Sequence, residues 1–198
     1  MTRAGYLLTA TGAALLLITL AMVYVAPRLV WNASASVPVG LYEIGSATPL
    51  EVTDLVAVNA PEPLAAFLAD RGYLPRGVPL LKRVAALPGQ TVCRLGGDIT
   101  VDGITVGNAL DRDRLGRTLP IWKGCHQIGA SELFLMNIGV RDSLDGRYFG
   151  PLAVTTVIGR ATPLYTDEDG DGRFVWRAPT WVDGAAMTRS TALLRRLP

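Results

Sequence analysis

The chain opens with an uncharged, mostly apolar run from Ala4 to Pro27, 24 residues long. As a helix rising ~1.5 Å per residue, this run would measure ~36 Å, enough to cross a hydrocarbon core ~30 Å thick. A cleaved signal peptide is the alternative, because Arg3 gives a basic start and Ala33-Ser34-Ala35 resembles a cleavage site. The apolar region of a signal peptide is only ~7–15 residues, so the length predicts an uncleaved transmembrane anchor over 4–27.

Beyond the anchor the pattern changes to short β-branched runs separated by turn residues, which predicts a β-rich domain over 28–198. The clearest element is a hairpin over Ile99–Val106, whose alternating strands flank Asp102-Gly103, a pair preferred in type I′ turns. Apolar residues on one face predict a helix over Pro63–Arg71, and mixed charges predict an exposed loop over Asn108–Arg117. Further strands are predicted at Asp54–Asn59, Pro79–Ala85, Thr91–Leu95, Glu132–Asn137 and Ala153–Arg160.

Composition narrows the class of protein. The chain has 198 residues, 49% hydrophobic and 18% charged, with a formal net charge of +2. This length fits one domain with an accessory segment. No long block of like charge provides the basic surface that nucleic-acid binding requires, so we expect no nucleic-acid partner.

Metal sites have little support in the sequence. Cys93, Cys125 and the single histidine, His126, are too few for a structural zinc site. The two cysteines form either a disulfide, in an oxidising compartment, or two buried thiols. Residues 167–172, Asp-Glu-Asp-Gly-Asp-Gly, imitate the start of a calcium loop, but its twelfth position is Ala178 instead of glutamate, which favours a solvated acidic turn. His126 would also have to serve any Ser/His/Asp triad, and its turn-like flanks argue against that role.

The lysines suggest a general base. Only Lys82 and Lys123 occur, against 17 arginines, and lysine can lose its proton whereas arginine cannot. Period-two spacing puts Lys82 on the same strand face as Leu80 and Val84, where burial would lower its pKa toward neutrality. A lysine snorkelling at a strand edge is the alternative. Lys123 lies in a turn-like context and is the weaker candidate.

Serines in two other segments of the sequence could complete a site with Lys82. Ser36 lies nine residues beyond Pro27, within roughly 30 Å of the anchor even if extended. Its segment is otherwise a Ser/Pro/Gly linker turn. A polar cluster further along contains Ser143, which could orient a neutral lysine amine, and Asp145 and Arg147, which could form an ion pair; alternatively it is a loop with salt bridges.

Three segments in this order resemble the signal peptidase I family of serine proteases, most closely its TraF-type branch from conjugative transfer systems. The matching segments are 34–42 (SASVPVGLY), 82–89 (KRVAALPG) and 142–151 (DSLDGRYFGP). Two departures are Gly146, where a serine is common in relatives, and 137–140 (NIGV), which replaces the usual Gly-Asp-Asn run.

The resemblance implies a mainly β, signal-peptidase-like ribbon or barrel behind one N-terminal transmembrane helix. It implies that Ser36 is the nucleophile and that Lys82, within hydrogen-bond reach, is its general base. Ser143 would align the lysine amine, Asp145 and Arg147 would support the site, and the Ser34 hydroxyl would help bind the oxyanion.

The expected function is cleavage of signal peptides or pilin precursors by a Ser-Lys dyad, without a metal or organic cofactor. The partners are then the lipid bilayer and a membrane-inserted precursor, and a propilin could be cyclised instead of hydrolysed. The resemblance places the protein in the bacterial inner membrane, single-pass, with its catalytic domain on the periplasmic side. The alternatives are a housekeeping signal peptidase and a non-catalytic, membrane-anchored assembly factor of a secretion or pilus apparatus.

Overall fold

A computed structural model describes residues 3–22 and 29–179. Its first element is helix α1, Arg3–Met22, within the apolar run. Among these described residues, no helix meets the length and hydropathy needed to cross a membrane. The transmembrane anchor predicted over 4–27 is therefore not found there, and residues 23–27 of that segment lie outside the description.

The largest unit is an antiparallel sheet that contains the two strands flanking Ser36 and the strand of Lys82. Its strand order is β1-β2-β11-β3-β4-β9-β10, and β12 pairs with β11. The bounds are β1 Leu29–Asn32, β2 Val39–Gly45, β3 Leu55–Val58, β4 Leu80–Ala86, β9 Glu132–Leu135, β10 Leu152–Ala153, β11 Val157–Asp167 and β12 Val175–Trp176.

A second antiparallel sheet has the order β7-β6-β5-β8. Its strands are β5 Thr91–Leu95, β6 Asp98–Val101, β7 Ile104–Asn108 and β8 Gly124–Gln127. The predicted hairpin is confirmed, since Asp102 and Gly103 both have positive φ, as a type I′ turn requires. Cys93 on β5 lies opposite Cys125 on β8, and the two form a disulfide.

The helices are short. The predicted helix is confirmed as α2, Glu62–Asp70, which begins after Pro61 and buries Leu64 and Leu68. Helix α3, Gly146–Phe149, is a single turn capped by Asp145, and a 3-10 turn covers Val154–Thr156. That turn divides the strand predicted at Ala153–Arg160.

The large sheet buries apolar residues on both faces, which explains the unbroken apolar sequence of β3. One face contributes Leu55, Ala57 and Leu81 to a core cluster, and the other contributes Val56, Val58 and Val84. Lys82 pairs with Val56 across β3 and β4, so it shares the second face with Val84. The mainly β prediction is confirmed, and the lysine is placed within the packed interior.

Candidate active site

Lys82 is buried at the centre of the candidate site, with 5% of its surface exposed. Its Nζ donates a hydrogen bond of 2.9 Å to Ser143 Oγ. Burial is the main cause that lowers the pKa of Lys82, from 10.5 to about 8, while Asp145 opposes the shift and Arg147 adds to it. The amine can therefore be neutral at mildly alkaline pH, which a general base requires.

Asp145 and Arg147 form a buried ion pair, with Arg147 Nη2 2.9 Å from Asp145 Oδ2. Asp145 also accepts from the backbone N–H of Arg147, so it caps α3. Arg147 donates to the carbonyls of Asn137 and Val140 as well. The pair is thus fully hydrogen-bonded, which offsets the desolvation of both charges, and the predicted pairing of these two residues is observed.

Gly146 fits this turn for a steric reason. A Cβ at this position would lie 2.7 Å from the ring of Phe134 and 2.8 Å from the carbonyl oxygen of Leu135. A serine, which the resemblance leads one to expect here, would force these neighbours apart. Glycine at position 146, in place of the serine common in relatives, therefore suits the packing of this protein.

The Ser36 loop is held by Asn32 at the end of β1. Asn32 Nδ2 donates to the carbonyls of Ser34, Val37 and Pro38, which fixes the orientation of its amide. Asn32 Oδ1 then accepts from the Ser34 hydroxyl at 2.8 Å. Because Ser34 has one hydroxyl hydrogen, the 3.1 Å contact between Ser34 Oγ and Ser36 Oγ has Ser36 as the donor.

Ser36 and Lys82 line the same cavity, of about 780 Å³, together with Ser34 and Ser143. Within the described part of the chain, however, the Ser36 hydroxyl bonds to Ser34 and not to the lysine amine. The direct hydrogen bond expected between Ser36 and Lys82 is thus not formed in this arrangement. The structure therefore brings the six predicted residues together, but it shows no hydrogen bond between Ser36 and Lys82. Ser36 also borders a second cavity, of about 410 Å³.

Two structural residues of the site were not identified from the sequence. Asn137 bonds to Ser36 and to both neighbours of Lys82. Arg94, which follows the disulfide cysteine on β5, donates to the carbonyl of Arg147 at 2.6 Å and is buried. The signal for Asn137 was a polar residue at the end of the apolar strand predicted over Glu132–Asn137. Arg94 gave no signal, because it occupies one face of an ordinary alternating strand.

The remaining polar clusters serve local structure. In the acidic turn, Asp167 accepts from the backbone N–H groups of Asp171 and Gly172, so its carboxylate closes the turn. No group of three or more potential ligands that could hold a metal ion occurs in the described ranges. His126 lies 2.8 Å from Glu132, and 46% of its side chain is exposed. Lys123 is exposed.

Comparison with known proteins decides the family. The family model "Signal peptidase, peptidase S26" matches residues 3–166. The chain belongs to the signal peptidase S26 family. It is similar to the conjugal transfer protein TraF of Agrobacterium fabrum, with 33% identity over 68% of this chain and 81% of the relative. A TraF from Agrobacterium tumefaciens is also 33% identical, over 81% of this chain and 95% of the relative.

Two further similarities extend the comparison. A plasmid transfer protein TraF from Escherichia coli is 33% identical over 68% of this chain and 81% of its own length. A crystal structure of a signal peptidase I from Enterococcus faecalis is 19% identical and aligns with a TM-score of 0.36, over 58% of this chain and 98% of its own. The resemblance to signal peptidases and their TraF branch is thus confirmed at the level of sequence.

Proposed function

We propose that this protein is a membrane-anchored serine endopeptidase that acts on precursor proteins through Ser36 and Lys82. The observation that carries the proposal is Lys82, a buried amine whose pKa is lowered to about 8 in a cavity that Ser36 shares. A structural lysine gains nothing from this burial, because desolvation of the charged amine costs free energy. Membership of the S26 family supports a peptidase role.

The first chemical step moves one proton. Neutral Lys82 holds a lone pair on Nζ while a hydrogen of the same amine stays bonded to Ser143. The Ser36 hydroxyl turns from Ser34 toward this lone pair and passes its proton to the amine as Oγ attacks the peptide carbonyl. The tetrahedral intermediate then collapses to an acyl-enzyme, and the ammonium returns its proton to the leaving amine.

The oxyanion that forms in this step needs donors. The backbone N–H of Ser36 supplies one, and the Ser34 hydroxyl supplies a second after it releases Asn32 Oδ1. Ser34 would therefore exchange one acceptor for another when substrate binds. The Ser36 hydroxyl leaves its contact with Ser34 in a separate step, when it turns toward Lys82.

The acyl-enzyme has two possible fates. Water releases the acyl group as a new C-terminus, whereas the N-terminal amine of the same substrate would release it as a cyclic product. The TraF relatives are named as conjugal or plasmid transfer proteins, which supports a substrate among the precursors of the conjugation apparatus, such as a propilin.

A periplasmic position at the inner-membrane surface is supported by two features. A disulfide joins Cys93 to Cys125, as is usual in oxidising compartments. An aromatic row, Trp31, Phe174, Tyr165 and Trp176, lies on or beside β1, β11 and β12, and its two tryptophans are 53% and 62% exposed. Tryptophan and tyrosine favour the boundary between lipid and water.

A second candidate function is a non-catalytic assembly factor anchored at the membrane. The contact between the Ser36 and Ser34 hydroxyls favours it, because the hydroxyl is not aimed at the lysine. This candidate predicts that Ser36 and Lys82 can be replaced without loss of function.

Processing of a propilin by membranes that carry the full chain tests the proposal. Wild type should cleave the precursor, whereas Ser36→Ala, Lys82→Ala and Lys82→Arg should not, because arginine keeps its proton. Lys123→Arg, the same change at the exposed lysine, is the matched control and should process normally. The product mass separates hydrolysis from cyclisation, since a cyclic product is lighter by one water. Processing by Ser36→Ala at the wild-type rate would refute the proposal.

A further inference from the structure

The side-chain amide of Asn137 continues the hydrogen bonding between β9 and β4 beyond the end of β9. Asn137 follows Leu135 and Met136 and is buried, with 4% of its surface exposed. Its Oδ1 accepts from the backbone N–H of Arg83 at 3.0 Å, and its Nδ2 donates to the carbonyl of Leu81 at 3.2 Å. A carboxamide carries the same donor and acceptor as a peptide group. The side-chain amide therefore adds two hydrogen bonds to β4, one on each side of Lys82.

The same amide also reaches the nucleophile segment. The second hydrogen of Nδ2 is directed to the carbonyl of Ser36, at 2.9 Å. One planar group is thus bonded to Ser36 itself and to the residues immediately before and after Lys82. The main chain of Asn137 adds a third connection, because its N–H donates to Asp145 and its carbonyl accepts from Arg147.

We propose that Asn137 is a positioning residue, whose side-chain amide holds the backbone of Ser36 at a fixed separation from the strand of Lys82. The inference rests on the proposed Ser36 and Lys82 chemistry. This fixed separation determines how far the Ser36 hydroxyl lies from the amine when it turns away from Ser34. Asn137 touches no reacting atom and acts through the two residues that it joins.

The amide chemistry explains why other side chains would not serve. Aspartate has the same shape and could accept from Arg83, but its carboxylate would face the carbonyls of Leu81 and Ser36 without a hydrogen to donate. Alanine would leave three backbone groups, one buried and two part-buried, without this partner. Glutamine has the correct groups but is longer by one methylene in a packed site.

Asn137→Asp is the primary test, measured as precursor processing by the full chain and expressed per folded molecule from near-UV circular dichroism. We expect kcat to fall about 100-fold while KM stays within about twofold, because loss of alignment acts on the chemical step. The pH of half-maximal kcat should also rise, since a carboxylate next to β4 favours the charged form of Lys82. Asn137→Gln should likewise lower kcat.

Gln90→Glu is the matched control, because the Gln90 amide also bonds to two groups, the backbone N–H of Leu87 and the carboxylate of Asp102, and neither belongs to the site. Its kcat should equal that of wild type. A merely structural role for Asn137 would lower the folded fraction and leave kcat per folded molecule unchanged, when kcat is measured above the pH midpoint of each variant. That result, in whichever of the Asp and Gln variants folds, would overturn the inference. Failure of the proposed function would give a different result, because Ser36→Ala would then process the precursor at the wild-type rate.

Discussion

The burial of Lys82 should make the protein less stable than it would be without this lysine. We consider Lys82→Met, which keeps the unbranched stem and removes the amine. Below pH 8 both the folded and the unfolded chain hold the proton, so the folded state bears the full cost of a charged amine in an apolar site. A pKa lowered from 10.5 to about 8 makes that cost about 3 kcal/mol at pH 7, at 1.36 kcal/mol per pH unit.

The sign of the pH dependence follows from proton binding. Between pH 8 and 10.5 the folded amine is neutral while the unfolded chain still binds its proton, so the stability of wild type rises with pH. Loss of the hydrogen bond to Ser143 costs the variant about 1 kcal/mol. Lys82→Met should therefore be more stable than wild type by about 2 kcal/mol at pH 7 and by about 1 kcal/mol at pH 9.

Urea denaturation of the full chain in detergent at the two pH values measures this difference. Lys123→Met makes the same change at an exposed lysine, and its stability should stay within about 0.5 kcal/mol of wild type at both pH values. The reasoning is refuted if Lys82→Met is less stable than wild type at pH 7 by a margin that does not change at pH 9.

Three further predictions concern the surroundings of the site. Gly146→Ser should destabilise the protein by about 1–3 kcal/mol in urea, because its side chain would collide with Phe134; wild-type stability would show that the turn can relax. Replacement of both disulfide cysteines by serine should cost roughly 2–4 kcal/mol, since the bridge closes a separation of 32 residues; an unchanged urea midpoint would contradict this. Asp145→Asn should cost about 3 kcal/mol by leaving Arg147 unpaired. It should also move the half-maximal pH of processing downward, because Asp145 raises the pKa of Lys82; an upward shift would count against the electrostatics.

Local signals in the sequence predicted the elements that depend on neighbouring residues. The hairpin at Asp102-Gly103 follows from turn chemistry, and α2 follows from one apolar face. Strand β8, with the sequence GCHQ, is mostly exposed and has no alternation, so only its pairing with β5 defines it. β1 and β2 flank the Ser36 loop, whose Ser/Pro/Gly composition indicated a linker and concealed the strands.

In the candidate site, too, the features set by neighbouring residues could be predicted, and those set by distant residues could not. Burial of Lys82 could be predicted from the alternation of Leu80 and Val84 around it. Its bond to Ser143, 61 positions away, was only one possible interpretation of a polar cluster, and the family resemblance implied it more firmly, because contacts at that separation leave no periodic signal. Asn137 was noted as a departure from the family pattern, yet its partner Ser36 lies 101 positions away, and only the fold shows that the two meet.

Covalent labelling of Ser36 tests most directly the central claim, that Lys82 takes the proton from the Ser36 hydroxyl. The full chain is treated with a serine-directed fluorophosphonate at pH 7 and pH 9, and the modified residue is located by peptide mass spectrometry. The account predicts labelling at Ser36 with a rate that rises roughly tenfold between these pH values, following a base with a pKa of about 8. Lys82→Met and Lys82→Arg should abolish it. Labelling of Ser36 at equal rates in wild type and Lys82→Met would contradict the account.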